Sequence, residues 1–439
     1  MKLSVIGCGY LGATHAACMA DLGHDVIGID VDPAKVQLLN DGVVPFYEPG
    51  LDEVLTRALA SGRLRFTTSW DEVADFADVH FLCVGTPQKA GSYAADLRYV
   101  DGAIADLAPR LVRPSLVIGK STVPVGTADR LAAYLLEHAP AGAEVHLAWN
   151  PEFLREGFAV QDTVSPDRLV FGIAAAEDEQ TMRAVYEPVL VKNTPLVISN
   201  RPTAELVKTA ANSFLATKIS FINAMAEICE VAGADVAVLA EAIGHDERIG
   251  SKFLRAGIGF GGGCLPKDIR AFQARVGELG VSDALTFLHD IDEINLRRRA
   301  HVVDLARTIV GGRFVGTKVA VLGAAFKPDS DDVRDSPALD IAASVFTQGA
   351  DVIVHDPKAI ENARARFPNL HYSEDLDAVV ADADVVLHLT EWKQYRELDP
   401  ARIGSLVRGK HIIDGRLALD PALWRAAGWN YTALGRPNA

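Results

Sequence analysis

Short apolar runs alternate with amphipathic stretches along the first part of the chain. KLSVIG (2–7) and DVIGID (25–30) flank the stretch YLGATHAACMADLG, whose spacing predicts a helix that ends at Gly23. A strand, a glycine turn, a helix and a second strand form a βαβ unit. The runs ADVHFLCVGTP (77–87) and SLVIGKSTVP (115–124) continue the alternation. The pattern predicts an α/β domain in which helices cover both faces of a parallel sheet.

The second half of the chain repeats this alternation. KVAVLGAAFKP (318–328) has the pattern of the first strand and its turn, and DIAASVFTQGADVIVHDP (340–357) has that of a helix and a strand ending in aspartate. ADADVVLHLTEW (381–392) then resembles the run at 77–87. We interpret this as a weak internal duplication, with a second Rossmann-like half that lacks GxGxxG. That half either holds a different nucleotide or is only structural.

Long helical patterns dominate the segment between the two halves. Apolar residues recur every three to four positions over 204–233, where Gly233 is the expected C-terminal cap. The stretch 281–310 also has largely helical spacing. Such helices either form the core of a dimer or only bridge the domains. The predicted fold is α/β, with two Rossmann-like parallel-sheet domains joined by a long-helix central region, and the domain boundaries are placed at 1–200, 201–310 and 311–439.

Length, composition and charge narrow the class of protein. A chain of 439 residues with 49% apolar and 23% charged residues is expected to form two or three globular domains. The formal net charge of -15 argues against nucleic-acid binding, and no apolar run reaches the roughly 18 residues of a membrane span. We therefore expect neither a nucleic-acid nor a membrane partner. The first predicted strand begins at Lys2, so we expect no signal peptide.

The cysteines lie far apart along the chain, at Cys8, Cys18, Cys83, Cys229 and Cys264. An odd number of cysteines without a CxxC pair predicts neither a disulfide framework nor a zinc site, and it fits a reducing cytoplasm. The twelve histidines form no metal-ligand motif, so we predict no metal. All of the cysteines except Cys264 are interpreted as small packing residues.

The first turn carries a dinucleotide-binding motif. Residues 7–12, GCGYLG, follow a strand, open a helix and precede Asp30 at the end of the next strand. Gly7 allows the tight turn, Gly9 lets a pyrophosphate approach the backbone, and Gly12 lets the helix pack on the strand. Asp30 is expected to accept hydrogen bonds from ribose hydroxyls. Its charge, together with that of Asp32, favours NAD over NADP.

The stretch GFGGGCLPKD (259–268) places a thiol after a run of glycines. The glycines are interpreted as removing side chains around Cys264, so that a bulky ligand comes close to its sulfur. A buried small hydrophobe is the alternative, but it would need neither the bare loop nor the adjacent Lys267 and Asp268. We therefore predict a functional thiol.

Further polar residues lie in motifs outside the glycine loop. VGTP (84–87) and KSTVPVGT (120–127) both end strands, where open α/β sheets bind ligands. In NPEFLREG (150–157), Glu152 and Glu156 have the spacing of one face of a helical turn, with a solvated charged face as the alternative. Lys208 and Asn212 have the same spacing on an apolar helix, where a catalytic or substrate role is preferred to a lysine that only reaches water. Positive charge for a diphosphate is available at Lys252, Arg255, Lys267 and Lys327.

These motifs, together with the helix over 204–233 and FKPDSDDVRDSP (326–337), resemble the UDP-glucose/GDP-mannose dehydrogenase family, and most of all its UDP-glucose 6-dehydrogenase branch. The resemblance extends from the first strand to Asp414-Gly415-Arg416. It implies an N-terminal NAD-binding domain, a central helical dimerisation and catalytic-loop domain, and a C-terminal UDP-sugar-binding domain. It also implies oxidation of the C6 alcohol of UDP-glucose to the carboxylate of UDP-glucuronate, with reduction of two NAD.

The resemblance explains why a dehydrogenase needs a thiol. An aldehyde carbon cannot release a hydride until a nucleophile has made it tetrahedral, so a thiolate would form a thiohemiacetal, and oxidation of that adduct would give a thioester for water to hydrolyse. The roles implied are Cys264 as nucleophile, Lys208 and Asn212 as oxyanion stabilisers, Asp268 and Thr122 with a water in proton handling, and Glu152 as general base.

The resemblance also implies ligand contacts at matching positions. NAD contacts fall on Gly7, Gly9, Tyr10, Leu11, Gly12, Asp30, Lys35, Thr86, Thr122, Glu156 and Arg334. Contacts to the nucleotide sugar fall on Glu152, Phe153, Leu154, Arg155, Lys208, Asn212, Phe253, Gly257, Gly261, Lys327 and Arg416. Arg248 matches an arginine that a neighbouring subunit supplies, which implies a homodimer or a higher even oligomer.

Three alternatives remain open at the level of sequence. The same chemistry could act on GDP-mannose or on a UDP-N-acetylhexosamine. A simple two-electron dehydrogenase would share the fold, but it would lack the cysteine loop. A non-catalytic NAD-binding regulator would be expected to lack Cys264, Lys208 or Asp268, and all three are present.

Overall fold

The apolar runs of the N-terminal half form one sheet in the computed structural model, which describes residues 1–437. Its strands are β1 Lys2–Ile6, β2 Asp25–Ile29, β3 Leu64–Thr67, β4 Val79–Leu82, β5 Ser115–Gly119, β6 Val145–Trp149, β7 Leu169–Gly172 and β8 Leu196–Ser199. The spatial order β3-β2-β1-β4-β5-β6-β7-β8 begins with the strand order of dinucleotide-binding folds.

Helices connect these strands and cover the sheet. They are α1 Tyr10–Asp21, α2 Pro33–Asn40, α3 Leu51–Ala60, α4 Trp70–Phe76, α5 Arg98–Leu107, α6 Thr127–His138, α7 Ala159–Val164, α8 Ala176–Val185 and α9 Glu187–Leu190. Alternate residues of β1 point to opposite faces, so Leu3 and Val5 pack under α1 and α3, while Ile6 packs under α5 and α6. The sheet is therefore buried on both faces, as the sequence predicts.

The predicted parallel sheet is confirmed over β1 to β6, and the next pairing beyond them is antiparallel. β7 pairs antiparallel with β6 through Trp149 and Gly172, and β8 runs parallel to β7. The connection from β6 to β7 contains only the six-residue α7.

The second sheet has the same topology as the first part of the N-terminal sheet. Its strands are β9 Lys318–Leu322, β10 Asp351–His355, β11 His371–Tyr372, β12 Val385–His388, β13 His411–Asp414 and β14 Asn430–Ala433. The strands are all parallel, in the order β11-β10-β9-β12-β13-β14. This order repeats that of β3-β2-β1-β4-β5-β6, which is the topology expected from the internal duplication.

The remaining helices belong to the centre and the C-terminal half. They are α10 Arg201–Ala232, α11 Val236–Gly244, α12 Leu265–Glu278, α13 Phe287–Ile309, α14 Pro337–Thr347, α15 Ile360–Arg366, α16 Leu376–Val380, α17 Lys393–Arg396, α18 Pro400–Gly404 and α19 Pro421–Ala426. The predicted 204–233 helix is α10, which ends just before Gly233. The helix predicted over 281–310 begins later, at Phe287, because a short 3-10 turn occupies Ser282–Leu285.

The turn after β9 shows how the second half differs from the first. The carboxylate of Asp356, at the position equivalent to Asp30, accepts the backbone N–H groups of Ala324 and Ala325 at 2.7 and 3.0 Å. It also accepts from the indole of Trp392 at 3.1 Å and from two backbone N–H groups of its own turn. Ala325 occupies the place of Gly9. This carboxylate therefore holds its own loop where a dinucleotide site would use it to bind a ribose.

The chain forms two compact units. The first consists of residues 1–211 and 270–281, and the second of residues 212–269 and those from 282 onward. Each unit has one of the sheets, and α10 and α12 each begin in one unit and end in the other. The three predicted domain boundaries stay a prediction. Within residues 1–437, no helix is both long and apolar enough to cross a membrane.

Candidate active site

The glycine loop of the first unit has the geometry of a pyrophosphate site. Gly7 has a φ of +88°, and a Cβ there would lie 2.8 Å from a side-chain carbon of Val84. A Cβ at Gly12 would overlap the carbonyl oxygen of Gly7, so α1 can approach the turn only with glycine at that position. Gly9 differs, because a Cβ there would meet no protein atom within 4 Å. The loop thus leaves space beside the N-terminus of α1, where N–H groups attract phosphate.

Asp30 is fixed before any ligand arrives. Its carboxylate accepts the N–H groups of Cys8 at 2.9 Å and Asp32 at 3.1 Å, and it pairs with the Lys35 ammonium at 3.1 Å. The predicted cofactor residues Asp30 and Lys35 therefore lie together, at the end of β2. Their geometry fits a ribose at this point, since a carboxylate has about four lone-pair sites and three are occupied.

Two further predicted residues meet where β4 and β5 end. The hydroxyl of Thr86 donates to the carbonyl oxygen of Thr122 at 2.7 Å, and Thr86 is buried. This bond joins the VGTP turn to the KSTVPVGT turn. Both turns lie at the carboxyl edge of the sheet, where open α/β sheets bind their ligands.

The NPEFLREG segment is not helical, contrary to one interpretation of its glutamate spacing. Residues 151–155 have no regular secondary structure. Proline at 151 disfavours helical geometry at Asn150, and the Glu152 carboxylate accepts the N–H of Leu154 at 2.8 Å, a local bond that competes with helical hydrogen bonding. Glu152 and Glu156 therefore do not share a helical face.

Glu152 and Lys208 form an ion pair in the first unit. The Glu152 carboxylate lies 2.9 Å from the ammonium of Lys208, which is buried on α10. The Lys208 ammonium also lies 5.8 Å from the ring centre of Phe153, and Arg168 stacks on that ring at 3.8 Å. The structure thus brings together three residues predicted to contact substrate. Arg155 points elsewhere, because its exposed guanidinium pairs with Asp162 at 2.7 Å.

A buried lysine near this pair was not predicted from the sequence. Lys120, which directly follows β5, donates to the Asn150 side chain at 3.0 Å and to the Tyr186 hydroxyl at 3.3 Å. Burial lowers the pKa of Lys120 to about 8. The Tyr186 hydroxyl in turn donates to Asn150 at 2.6 Å, so this network fixes the start of the NPEFLREG segment. A lysine next to a five-residue apolar strand was the signal available in the sequence.

Glu205 is a second residue that the motifs did not reveal. It lies on α10 and is buried, and its carboxylate accepts the N–H groups of Gly126 at 2.8 Å and Ala128 at 2.7 Å. It thus caps α6 directly after the turn that carries Thr122. Burial raises the pKa of Glu205 from 4.5 to about 7, against the lowering effect of the two N–H donors.

In the second unit, the glycines around Cys264 are packed against protein atoms, which corrects their interpretation as space for a ligand. A Cβ at Gly261 would overlap the carbonyl oxygen of Asp335, and one at Gly262 would lie 2.8 Å from the ring of Phe326. The N–H of Gly262 also donates to the Arg334 carbonyl at 2.8 Å. The bare loop therefore exists because the 326–337 segment lies directly on it.

Cys264 is exposed at the start of α12. A helix N-terminus favours an anion such as a thiolate. The carboxylate of Asp268, one turn further on, is buried and accepts from the Asn212 amide at 2.7 Å. Lys267 pairs with the same carboxylate at 2.7 Å. Three residues with predicted catalytic roles are thus held in one constellation.

Phe253 and Arg416, two further residues of the second unit that were predicted to contact substrate, differ in their surroundings. Phe253 is exposed with a φ of +64°, which is a strained geometry for a bulky residue. Arg416 has a structural position, since its guanidinium donates to the carbonyl oxygens of Leu389, Gly259 and Phe326 at 2.8–3.0 Å. It ties three loops together, one of which contains Gly259.

Four positions show less specific surroundings. Gly257 packs against the Gly415 carbonyl, since a Cβ at residue 257 would lie 2.7 Å from that oxygen. The Lys327 ammonium lies 5.5 Å from the ring centre of its neighbour Phe326. The exposed guanidinium groups of Arg248 and Arg334 pair with Asp246 and Asp332 at 2.6 and 2.8 Å. The ligand roles of these residues stay predictions.

The difference in burial among the cysteines predicts that only one of them is alkylated in the native protein. Cys8, Cys18, Cys83 and Cys229 are buried, and burial raises the pKa of the Cys18 and Cys83 thiols to about 12. We expect iodoacetamide at pH 7.5 to add one carboxamidomethyl group to the native protein, at Cys264, as measured by intact mass and peptide mapping. Cys264→Ser should take up none in the same time. Labelling of a second cysteine at a comparable rate would contradict the assignment.

The raised pKa of Glu205 predicts a pH-dependent stability. Between about pH 4.5 and 7 the native carboxyl keeps a proton that the unfolded chain has lost, so the stability present below pH 4.5 is lost as the pH rises through about 7. We expect the difference in unfolding free energy between pH 5 and pH 8, measured by urea denaturation, to change in Glu205→Gln by on the order of 2 kcal/mol. The matched exposed variant Glu137→Gln should follow the wild type, and equal pH dependence in all three proteins would refute the role of Glu205.

The chain matches all three parts of one protein family. Residues 1–190 match the description "UDP-glucose/GDP-mannose dehydrogenase family, NAD binding domain", residues 202–297 match its central domain, and residues 320–421 match its UDP binding domain. These matches confirm the expected NAD cofactor and a nucleotide-sugar class of substrate. The open space at Gly9 and the fixed Asp30 fit a dinucleotide.

Individual relatives agree over the whole chain. A UDP-glucose 6-dehydrogenase of Rhizobium meliloti is 40% identical over 100% of both chains, and one of Rickettsia bellii is 40% identical over 99% of both. The structure of a UDP-glucose dehydrogenase from Pyrobaculum islandicum has a TM-score of 0.91 at 40% identity, covering 99% of this chain and 98% of that one. A UDP-D-ManNAc dehydrogenase from Pyrococcus horikoshii has a TM-score of 0.86 at 27% identity over 100% of both chains. The chain therefore belongs to the UDP-glucose/GDP-mannose dehydrogenase family.

Proposed function

We propose that this enzyme oxidises UDP-glucose to UDP-glucuronate in two steps, each of which uses one NAD. The observation that carries the proposal is the exposed Cys264 thiol at the start of α12, next to the buried Asp268 and Asn212 pair. A single oxidation of an alcohol to a carbonyl compound needs no nucleophile. A thiol placed in this way, in a chain with an NAD-binding domain, supports a second oxidation.

The residues of the chain supply the covalent and acid–base chemistry. The Cys264 thiolate adds to the aldehyde carbon and gives a thiohemiacetal, whose oxygen carries the developing negative charge. Lys208 and Asn212 stabilise that charge as a cation and an amide donor. Bound NAD serves as the hydride acceptor. Loss of hydride converts the thiohemiacetal to a thioester, which water cleaves to the carboxylate and the free thiol.

The surroundings of the carboxylates support separate roles in proton transfer. Asp268 is buried between the Asn212 amide and the Lys267 ammonium, which supports a role for its carboxylate in accepting a proton from a nearby group. Glu152 pairs with Lys208 and accepts the Leu154 N–H, and these contacts support a role as the base that activates water in thioester hydrolysis. Thr122 contributes through an ordered water.

UDP-glucose is preferred to other nucleotide sugars on the basis of the relatives. Sequence and structural relatives at 40% identity are UDP-glucose dehydrogenases, whereas the UDP-D-ManNAc dehydrogenase is 27% identical. GDP-mannose and a UDP-N-acetylhexosamine stay the alternative substrates. A non-catalytic regulator is disfavoured, because such a protein has no need of an exposed thiol beside a hydrogen-bonded buried carboxylate.

The number of NADH molecules formed per sugar tests the proposal. We expect a ratio of about two when limiting UDP-glucose is consumed with excess NAD, because each tetrahedral carbon releases one hydride. Cys264→Ala should lower the steady-state rate by roughly 10³-fold or more, as expected for loss of a nucleophile. Cys229→Ala, which alters a buried thiol elsewhere, should keep the ratio.

A ratio of about one would mean that the reaction stops at the aldehyde and that Cys264 is not the nucleophile of a second oxidation. Absence of turnover with UDP-glucose, but turnover with GDP-mannose or an acetylated UDP-sugar at the same ratio, would change the substrate and keep the chemistry.

We also propose that the enzyme is a homodimer, or a higher even oligomer, built on α10. Phe214, Phe221 and Ile228 recur every seven residues along this helix, and they are 66%, 46% and 58% exposed. Exposed apolar residues that recur every seven positions on a 32-residue helix are typical of helices that pair with another helix. The second copy would supply Arg248, whose exposed guanidinium is available at the surface.

Charges on this stripe are expected to dissociate the dimer. We expect the double variant Phe221→Asp with Ile228→Asp to have the mass of one chain by light scattering, because two buried carboxylates would face each other across the two-fold axis. Leu136→Asp, an equally exposed site on α6, should leave the wild-type mass unchanged. A wild type that is monomeric at micromolar concentration, or a double variant that stays dimeric, would refute this interface.

A further inference from the structure

Glu48 is a buried carboxylate at the centre of three contacts that no motif predicted. It lies in the loop between α2 and α3, and only 3% of its surface is exposed. Its two oxygens accept the backbone N–H groups of Gly157 at 2.6 Å and Ala159 at 2.7 Å. One of them also accepts the hydroxyl of Tyr10. A buried carboxylate with three donors is a fixed structural junction.

The Tyr10 contact leads to the cofactor loop. Tyr10 is the first residue of α1 and belongs to the glycine motif, two residues from Cys8 and next to the open space at Gly9. Burial, followed by the hydrogen bond to Glu48, raises the pKa of the Tyr10 phenol. The phenol therefore stays protonated and donates to Glu48 across the physiological range. The N–H of Gly157 also lies 3.2 Å from the Tyr10 oxygen.

The two backbone contacts lead to the sugar loop. Gly157 ends the NPEFLREG segment, and Ala159 is the first residue of α7. The other end of that segment is fixed by the Asn150, Lys120 and Tyr186 network. Glu152 and Phe153 lie between the two anchors, so the position of Glu48 affects how this segment presents them.

We propose that Glu48 is a positioning residue that couples NAD binding to nucleotide-sugar binding. The inference rests on the proposed function for the identity of the sugar nucleotide. A dinucleotide that settles on the N-terminus of α1 restrains Tyr10, and Tyr10 restrains Glu48. Glu48 then restrains the end of the 150–157 segment, which lowers the entropic cost of ordering that segment around the second ligand. Glu48 itself contacts neither ligand.

A merely structural role would give a different result. If Glu48 only stabilised the fold, its loss would lower the unfolding temperature. It would also weaken the binding of each ligand by a factor that does not depend on whether the other ligand is bound. A coupling role changes the ratio of the NADH dissociation constants measured with and without the sugar nucleotide, and this ratio is the readout. NADH is used because it forms a non-reacting ternary complex with the unoxidised sugar.

The experiment measures NADH fluorescence titrations with and without saturating UDP-glucose. Turnover by the wild type is measured first, and the titrations use the sugar nucleotide that the wild type oxidises, so failure of the proposed substrate is separated from failure of the coupling. We expect the wild type to bind NADH at least about fivefold more tightly in the presence of the sugar nucleotide. In Glu48→Gln this factor should fall to near one, because an amide NH₂ replaces one of the two oxygens that accept N–H groups.

Two further variants make the result interpretable. Tyr10→Phe keeps both backbone contacts of Glu48 and removes only the link to α1, so it should also abolish the coupling, even if Glu48→Gln proves too unstable to study. Glu53→Gln changes an exposed carboxyl on neighbouring α3 and should keep the wild-type factor. A wild type that turns over the sugar nucleotide without any coupling would overturn the proposal. Coupling that persists in both Glu48→Gln and Tyr10→Phe would do the same.

Discussion

Buried carboxylates that accept backbone N–H groups hold the loops at the carboxyl ends of the strands in both units. Loops at the carboxyl ends of parallel strands have no ladder partners, so an N–H group removed from water there needs another acceptor. Asp30 supplies it for the glycine loop and Glu205 for the turn before α6. Glu48 does so for the start of α7, and Asp414 accepts three N–H groups of the turn that contains Arg416. These contacts restrain the backbone of the loops, which lowers the entropy that remains to be lost on binding.

The two Rossmann-like halves show that one carboxylate position can have two uses. Asp30 and Asp356 both follow the second strand of their sheets and both hold the turn after the first strand. At Gly9 the first half leaves open space, whereas a buried methyl group stands at Ala325 in the second half. Asp356 also receives the Trp392 indole, so its lone pairs are used within the protein. The sequence left open whether the second half holds a different nucleotide or is only structural. The turn after β9 supports its own fold, so a nucleotide bound by this domain must contact groups other than the Asp356 carboxylate.

Much of the fold can be predicted from the sequence, because strand order and glycine turns depend on local patterns. The apolar runs predict both sheets, and Gly7, Gly9 and Gly12 have the separate roles that their motif indicates. The antiparallel pairing of β7 with β6 cannot be predicted in this way, because the apolar pattern of a strand does not set its direction relative to its neighbour. The packing of Gly261 and Gly262 depends on a segment about seventy residues further along the chain, so their interpretation as ligand space was wrong. Glu48 and Glu205 were missed for the same reason, since the N–H groups that they accept lie far away in the chain.

The packed glycines change the explanation of the bare loop before the exposed Cys264 thiol. A cysteine on a flexible loop would sample many positions, and covalent catalysis needs the sulfur held close to one carbon in one orientation. The 326–337 segment fills the place of the missing side chains, and Arg416 ties the carbonyl of Gly259 to two other loops. The backbone before Cys264 is thus fixed from two sides, while its side chain alone remains exposed at the helix start. Glycine is required at residues 261 and 262 because the backbone there lies in close contact with the 326–337 segment. The sulfur of Cys264 is exposed because the packed loop ends at this residue and α12 begins at the next.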